Sequence, residues 1–210
     1  MLYNEEQVSQ IEVTEQDILH FCSVDLVDSP MKMAHKALIE KVRHANGTVV
    51  FDPNVRLPLW DSEADCKSAI QAFVPFADII KISDEELSFV TGYEDENQAI
   101  QWLFQGHVQA VIYTKGAEGA AIYLKDGTTI VEQGYKVKAI DTTGAGDAFI
   151  GAVISRLLDS NERDIIQLLK NGGHAILEFS NYVAAIVTTQ YGAIESIPSL
   201  DKVKEALNIK

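Results

Sequence analysis

Positive charge is scarce in this sequence, where 17 Lys and Arg residues stand against 31 Asp and Glu residues and the formal net charge is −14. A protein that binds nucleic acid or an anionic membrane surface needs a basic patch, so this balance argues against both partners. It leaves anionic small molecules open, because N–H groups at the start of a helix can hold a phosphate and Mg²⁺ can offset its charge.

Cysteine and long apolar runs are scarce as well. Cys22 and Cys66 are the two cysteines and form no CxxC pair, so we expect no disulfide framework and a reducing, cytoplasmic compartment. The five histidines show no metal-binding spacing. No apolar run reaches the roughly 20 residues of a membrane helix, and the polar, acidic N-terminus is unlike a targeting peptide.

Glycine is absent from the first part of the chain, where Gly47 is the first to occur. The apolar run 18–23 predicts a strand that has no earlier partner in the sequence. We therefore expect an open, apolar sheet edge and, with it, a homo-oligomer.

The sequence has 210 residues, of which 47% are apolar. This is enough for one sizeable core, and we expect a single domain over residues 1–210. Short, continuous apolar runs alternate with helical stretches, a pattern typical of an α/β fold with a parallel sheet covered on both faces. The predicted strands are 18–23, 48–52, 77–83 and 110–116. The predicted helices are 30–46, 63–73, 84–92 and 96–104.

The alternation of apolar strands with helices ends after residue 119. Asp126-Gly127 between two β-rich runs predicts a hairpin, which would add an antiparallel edge to the sheet. From Gly144 onward the chain is mostly helical, with predicted helices over 145–158, 162–169, 173–188 and 200–207.

The loop "DTTGAGDAF", residues 141–149, leads from a β-rich segment directly into a helix. Gly144, Ala145 and Gly146 therefore lie at a helix N-terminus, where free N–H groups and the positive end of the dipole favour an anion. The segment is neither a P-loop, since no Lys follows, nor a GxGxxG dinucleotide fingerprint, since Phe149 occupies the third glycine position.

Asp147 follows this glycine turn, and two interpretations stay open. A carboxylate beside a phosphate site repels the phosphate unless it has a task, such as taking the proton from an attacking hydroxyl in phosphoryl transfer. Alternatively, Asp147 stabilises the helix dipole alone, by roughly 0.3–1 kcal/mol.

"DTTGAGDAFIGA" resembles the C-terminal signature of the PfkB, or ribokinase-like, carbohydrate kinases. Four further blocks, "FDPNVRLPLW", "KISDEEL", "VIYTKGAEGA" and "AAIVTTQYGAIESIP", resemble the family in the same order, and the first is similar to fructokinases. The resemblance covers nearly the whole chain and implies a three-layer α/β/α fold, with a mostly parallel sheet and an antiparallel hairpin at its edge.

The resemblance implies ATP-dependent phosphorylation of a sugar hydroxyl, D-fructose above all, with ATP, Mg²⁺ and K⁺ as cofactors. Asp147 would be the base, and the amides of residues 144–146 would bind the transferring phosphoryl group. A monovalent cation would be held by Asp141, Thr143, Val187, Gln190, Gly192 and Ser196. For Asp141, capping of the loop by local hydrogen bonds is the alternative.

The nucleotide contacts that the resemblance implies lie in three segments. Ser83 and Glu86 match the family's Asn-x-x-Glu pattern near Mg²⁺ and phosphate, although Ser83 departs from the Asn; S-x-x-E is equally a capping box. Thr114, Gly116 and Gly119 would lie along the nucleotide, or else form a plain turn. Asn181 would lie beside the adenine, or else be an interface residue.

On the sugar side, Asp52, Asn54 and Arg56 follow a predicted strand at its carboxyl end, where open α/β sheets collect ligands. A surface salt bridge is the alternative for Arg56. The family's earlier glycine-rich signature, sugar-gripping residues, N-terminal strands and β lid are absent from this sequence. We therefore expect a truncated kinase domain that carries the nucleotide half and has weak sugar phosphorylation alone, because catalysis needs both substrates in place.

Two other functions remain as alternatives. One is a non-catalytic nucleotide-binding protein or oligomeric scaffold, and the other is a kinase for another sugar such as ribose or 2-keto-3-deoxygluconate. An NAD-dependent oxidoreductase is disfavoured by the missing GxGxxG.

Overall fold

The computed structural model describes residues 4–162 and 164–208. The fold is α/β with a mixed six-stranded sheet in the order β1-β2-β3-β4-β5-β6. The strands are β1 Ile18–Cys22, β2 Thr48–Asp52, β3 Ile79–Ser83, β4 Ala110–Thr114, β5 Gly119–Leu124 and β6 Thr129–Gln133. The helices are α1 Glu5–Ser9, α2 Pro30–His44, α3 Glu63–Phe73, α4 Asp84–Thr91, α5 Glu96–Leu103, α6 Ala145–Leu158, α7 Ile165–Val187 and α8 Leu200–Leu207.

The chain divides into two compact units. Unit 1 comprises Met1–Ile112 and Leu124–Asp126, and unit 2 comprises Tyr113–Tyr123 and Gly127–Lys210. The prediction that residues 1–210 form one domain stays a prediction.

Unit 1 is built on the parallel strands β1, β2 and β3. The apolar residues of β2 and β3 are buried, whereas Ile18 and Leu19 of β1 are half-buried. The rings of Phe21 and Phe51 stack with centroids 4.6 Å apart. Helix α2 begins with Pro30 in its first turn and ends before Asn46 and Gly47, as the breaker residues predict. Helix α4 ends at Gly92, whose left-handed φ of 81° suits a residue without a Cβ.

Unit 2 contains the antiparallel pair β5–β6, which confirms the hairpin predicted from Asp126-Gly127. Helices α6 and α7 pack together, with Ala148 and Ala152 of α6 in one apolar cluster with Phe179, Val183 and Val187 of α7. A helix that presents small residues to a neighbour allows the two backbones to approach closely.

Two helix predictions were wrong. The stretch predicted as separate helices 162–169 and 173–188 is the single helix α7, which continues through Gly172-Gly173. Gly173 faces the hairpin, and a Cβ at this position would lie 2.7 Å from the Cδ1 atom of Ile130. The glycine therefore permits close packing rather than ending the helix. Helix α1, capped by Asn4, was not predicted.

Within the two described ranges, no helix combines the length and the apolar character needed to cross a membrane.

Candidate functional site

Asp52 ends β2 and is buried, with 1% of its surface exposed. Its partner is Lys81 of β3, whose Nζ lies 3.1 Å from Oδ2 and 3.4 Å from Oδ1 of Asp52. The same Oδ1 accepts a hydrogen bond from the backbone N–H of Asn54 at 3.1 Å. The carboxylate of Asp52 therefore pairs with the ammonium group of Lys81 and also accepts a hydrogen bond from the start of the loop that follows β2.

The pKa of Asp52 is raised from 3.8 to about 6. Burial is the main cause, because an ionised carboxylate loses hydration in the protein interior, and the nearby charge of Glu86 adds to it. The ammonium group of Lys81 opposes both effects. Asp52 is thus mostly ionised at neutral pH and mostly protonated in mildly acidic solution.

Glu86 joins this loop to the start of α4. Its Oε1 accepts from the N–H of Val55 at 2.8 Å, and its Oε2 accepts from the N–H and hydroxyl groups of Ser83 at 3.1 and 2.8 Å. The second contact is the capping contact that S-x-x-E predicts. The first crosses 31 residues of sequence and ties the loop after β2 to the N-terminus of α4.

Asn54 and Arg56 occupy different surroundings in this loop. Asn54 is half-buried, with a left-handed φ of 43°, and its carbonyl accepts from the hydroxyl of Ser23 at 3.5 Å. Arg56 is exposed, and its guanidinium donates to the carbonyl of Val55 at 3.0 Å. The structure thus brings Asp52, Asn54, Ser83 and Glu86 together around one loop and leaves Arg56 on the surface beside it.

In unit 2, the glycine turn precedes α6 as predicted. Gly144 has a left-handed φ of 78° and is the N-cap of α6, so Ala145, Gly146 and Asp147 form the first turn of the helix. Asp147 is exposed. It lines a groove of about 350 Å³, whose remaining lining is mostly apolar and comes from α6 and its N-cap residue Gly144, α7, α8 and the segment 193–198.

The loop before this turn contacts the segment after α7. The carbonyl of Thr188 accepts from the N–H groups of Ile140 and Asp141 at 2.7 and 3.1 Å. The carboxylate of Asp141 accepts from the N–H of Thr143 at 2.9 Å. Hydrogen bonds from Thr143, with a smaller one from the backbone of Gly192, lower the pKa of Asp141.

The six residues predicted to hold a monovalent cation lie on these two segments. Ser196 is buried and its hydroxyl donates to the carbonyl of Ala193 at 2.9 Å, Val187 is buried at the end of α7, and Gln190 and Gly192 are exposed. A carboxylate together with carbonyl and hydroxyl oxygens suits a hard cation. Within residues 4–162 and 164–208, no group of three or more His, Cys, Asp or Glu side chains is arranged to hold a metal ion.

The predicted nucleotide residues of unit 2 fall in two places. Thr114 ends β4, and Gly116 and Gly119 flank a tight turn before β5, with left-handed φ values of 50° and 109°. A Cβ on Gly116 would meet open space, whereas one on Gly119 would collide with the backbone of Glu132. Gly116 therefore leaves its surface accessible, and Gly119 is required by the hairpin itself.

Asn181 lies on α7 and is buried against β6. Its Nδ2 group donates to the carbonyls of Glu132 and Gln133 at 3.3 and 3.2 Å. This side chain joins helix α7 to strand β6.

Lys81 is the member of the Asp52 network that the sequence motifs did not single out. A signal was available, since this lysine stands between isoleucines in the apolar strand "ADIIKIS", where a charge is costly unless it is paired.

A family model described as pfkB family carbohydrate kinase matches residues 1–200. The chain is 35% identical over 209 residues to "Probable fructokinase-6, chloroplastic" of Arabidopsis thaliana, and the match covers 99% of this chain and 53% of that protein. The chain thus spans about half the length of this relative.

Solved structures give the same fold. A double mutant of the fructokinase of Vibrio cholerae O395, bound to fructose, ADP and potassium, superimposes with a TM-score of 0.86 at 28% identity, over 97% of this chain and 64% of that one. The aminoimidazole riboside kinase of Salmonella enterica, with aminoimidazole riboside and an ATP analogue, superimposes with a TM-score of 0.84 at 27% identity, over 97% and 66% of the two chains. The three-layer α/β fold predicted from the sequence is confirmed.

Proposed function

Because the chain belongs to the pfkB family of carbohydrate kinases, we propose that it takes part in the ATP-dependent phosphorylation of a sugar hydroxyl, with D-fructose as acceptor and ADP and fructose 6-phosphate as products. The observation that carries this proposal is the Gly144 turn, which puts exposed Asp147 in the first turn of α6 within a family match over residues 1–200. Similarity to a fructokinase with fructose and ADP bound supports the choice of substrate.

In this proposal Asp147 is the base that takes the proton from the sugar hydroxyl. The N–H groups of Gly144, Ala145 and Gly146 stabilise the negative charge that develops on the transferring phosphoryl group, because they lie at a helix N-terminus. The N–H of Ala145 donates to the carbonyl of Thr142 at 3.2 Å in the structure and would exchange this partner for the phosphoryl group. The left-handed Gly144 is what turns the chain into α6 at this point.

The remaining roles are assigned as the resemblance implies. ATP is contacted by Thr114, Gly116, Gly119 and Asn181. The sugar or its phosphate is contacted by Asp52, Asn54 and Arg56. Mg²⁺ binds near Glu86 and Ser83. Oε2 of Glu86 accepts two hydrogen bonds from Ser83. Oε1 accepts one, from the N–H of Val55, and keeps a second lone pair, which fits a contact to the hydrated ion. When bound, Mg²⁺ neutralises phosphate charge.

We propose a K⁺ site at Asp141, Thr143, Val187, Gln190, Gly192 and Ser196. Backbone hydrogen bonds already bring the segments 140–143 and 187–196 together, so a cation bound there would stiffen the turn that leads to Asp147.

We further propose that residues 1–210 belong to one kinase domain, that the protein works in the cytoplasm and that it self-associates. Two free cysteines support a reducing compartment. Exposed apolar side chains in unit 2, such as Ile194 at 84% and Tyr191 at 80%, support self-association. Sedimentation velocity across a range of concentrations tests it, and a single monomeric species at all of them would contradict it.

The central experiment measures ADP release by the 210-residue chain with Mg·ATP, with and without D-fructose. We expect release to depend on fructose and to stay well below the roughly 1–10³ s⁻¹ of ordinary enzymes, since the chain spans 53% of its fructokinase relative. Asp147→Asn should lower it by about 10²–10⁴, while Asp201→Asn, an exposed carboxylate in α8, should leave it unchanged.

Similarity to the aminoimidazole riboside kinase favours a riboside as the second candidate acceptor. A panel of fructose, ribose, 2-keto-3-deoxygluconate and aminoimidazole riboside separates the acceptors. Mg·ADP binding without transfer to any of them would favour the non-catalytic nucleotide-binding protein or scaffold, and absence of Mg·ADP binding would contradict both functions.

A further inference from the structure

Lys81 and Asp52 are neighbours across two parallel strands. The pairs Val50–Ile79 and Phe51–Ile80 set the register of β2 and β3, so Asp52 and Lys81 follow as the next pair. The side chains are 1% and 7% exposed, and both Asp52 oxygens lie within 3.4 Å of Nζ. The lysine therefore meets its partner at the last residue of β2, where the strand gives way to the loop.

That loop, residues 53–56, is held from three directions. Asp52 Oδ1 accepts from the N–H of Asn54, and Glu86 Oε1 accepts from the N–H of Val55. On the third side, Ser23 donates from its N–H to the carbonyl of Pro53 at 3.2 Å and from its hydroxyl to that of Asn54. Asn54 has a left-handed backbone, which is strained for a residue other than glycine. Such a conformation persists when the surrounding contacts hold it in place.

The charge of Lys81 bears on the first of these contacts, because Lys81 pairs with the carboxylate that accepts it. A hydrogen bond to an ionised carboxylate is roughly twice as strong as one to a neutral acceptor. Removing one partner of a buried ion pair leaves the other charge uncompensated, and a buried carboxylate responds by taking up a proton. Loss of the ammonium group would therefore weaken the bond from Asp52 to the Asn54 N–H without altering any residue of the loop.

We propose that Lys81 is a positioning residue that acts through Asp52 to fix the loop 53–56, and thereby the orientation in which Asn54 and Arg56 meet the sugar phosphate. This role rests on the proposed function, in which Asn54 and Arg56 contact substrate. Lys81 is assigned no contact with a reacting atom in this proposal, in which its buried ammonium group pairs with Asp52.

The test is amide hydrogen exchange, followed by NMR, on the 210-residue chain and three variants. Lys81→Met removes the charge, Lys81→Arg keeps it, and Lys36→Met makes the same charge change at an exposed site of α2. The N–H of Val49 is the internal reference, because it donates to Asp78, at 2.8 Å, rather than to Asp52 and lies in the same unit. If the Lys81→Met variant does not fold, the double variant Asp52→Asn/Lys81→Met, which removes both charges, is measured in its place.

We expect exchange at Asn54 to become about tenfold faster in Lys81→Met and in the double variant, as loss of its charge-assisted hydrogen bond to Asp52 implies. Exchange at Val55, which donates to Glu86, should become faster as well, because the loop around it is held less firmly. Exchange at Val49 should stay within about twofold, since that bond is separate. Lys81→Arg should restore slow exchange, and Lys36→Met should change nothing. Unchanged exchange at Asn54 and Val55, or an equal acceleration at Val49, would show a uniform structural effect and overturn the proposal.

Affinity for fructose 6-phosphate, measured by calorimetry on the same proteins, separates this proposal from the one on which it rests. We expect Lys81→Met to bind about tenfold more weakly, as misplacement of a few contacts implies, and Lys36→Met to bind normally. If the unaltered chain does not bind fructose 6-phosphate, the proposed substrate is wrong, and the exchange ratio by itself decides whether Lys81 positions the loop. Normal binding by Lys81→Met would overturn the role of Lys81 in substrate binding.

Discussion

Gly144 and Ala193 lie so close together that a Cβ atom on Gly144 would collide with the Cβ of Ala193 and come within 3.2 Å of its Cα. The contact joins the turn before α6 to the segment after α7. Gly144 also has a left-handed φ of 78°. This one position therefore combines two requirements, a backbone conformation and a close approach, that only glycine meets.

Gly144→Ala should destabilise the protein by about 1–3 kcal/mol, because strain at φ above zero and overpacking act together. The free energy of unfolding from urea denaturation measures the effect. Gly151→Ala in α6 is the matched control, since a Cβ there meets open space. It should stabilise the helix by about 0.5–1 kcal/mol. Equal effects of the two substitutions would contradict the close approach of Gly144 and Ala193.

Asp52→Asn should remove one pH-dependent part of stability. The pKa of Asp52 is about 6 in the folded protein and 3.8 in the reference state. Because folding raises this pKa, the folded state binds the proton more tightly, and the stability contributed by Asp52 is full below pH 3.8 and is lost as the pH rises through about 6.

The free energy of unfolding of the unaltered protein should therefore fall relative to that of Asp52→Asn between about pH 4 and pH 7, by on the order of 3 kcal/mol. Urea denaturation at several pH values measures this difference. Asp61→Asn, at an exposed carboxylate of the same unit, controls for the change in net charge. A constant difference across the range would show that Asp52 has an ordinary pKa.

Asn181→Ala should cost about 1–3 kcal/mol, because the carbonyls of Glu132 and Gln133 lose the donor they share. Asn171→Ala lies on the same helix at an exposed position and should change stability by less than about 0.5 kcal/mol. Thermal unfolding compares the two. Measuring Mg·ADP affinity on both variants also tests the proposed adenine contact, which predicts weaker binding for Asn181→Ala alone.

Replacing choline with K⁺ should stabilise the protein, since a ligand that binds only the folded state adds stability by mass action. We expect a gain of about 1 kcal/mol at a K⁺ concentration several times its dissociation constant. Asp141→Asn should abolish the gain, whereas Asp201→Asn should retain it. Unfolding curves in KCl and choline chloride provide the measurement. A K⁺ effect that persists in Asp141→Asn would place the cation elsewhere.

Local sequence patterns were enough to predict most helices and strands of this protein. Short apolar runs became β1 to β4, Asp126-Gly127 became a hairpin, and α3, α6 and α8 have the predicted limits. These features follow from local causes such as the period of apolar residues, capping and turn chemistry, which neighbouring residues settle among themselves. The glycine turn before Asp147 also follows from such local causes.

Contacts between distant residues could be read only from the folded chain. Gly172-Gly173 has the local character of a helix break, yet α7 continues because Gly173 packs against Ile130 of the hairpin. Glu86 could be recognised as the N3 residue of a capping box, but its bond to Val55 joins segments 31 residues apart. Lys81 acquired its partner when β2 and β3 paired in one particular register. The physical reason is that such contacts depend on strand register and helix packing, which the whole folded chain sets and no local window of sequence contains.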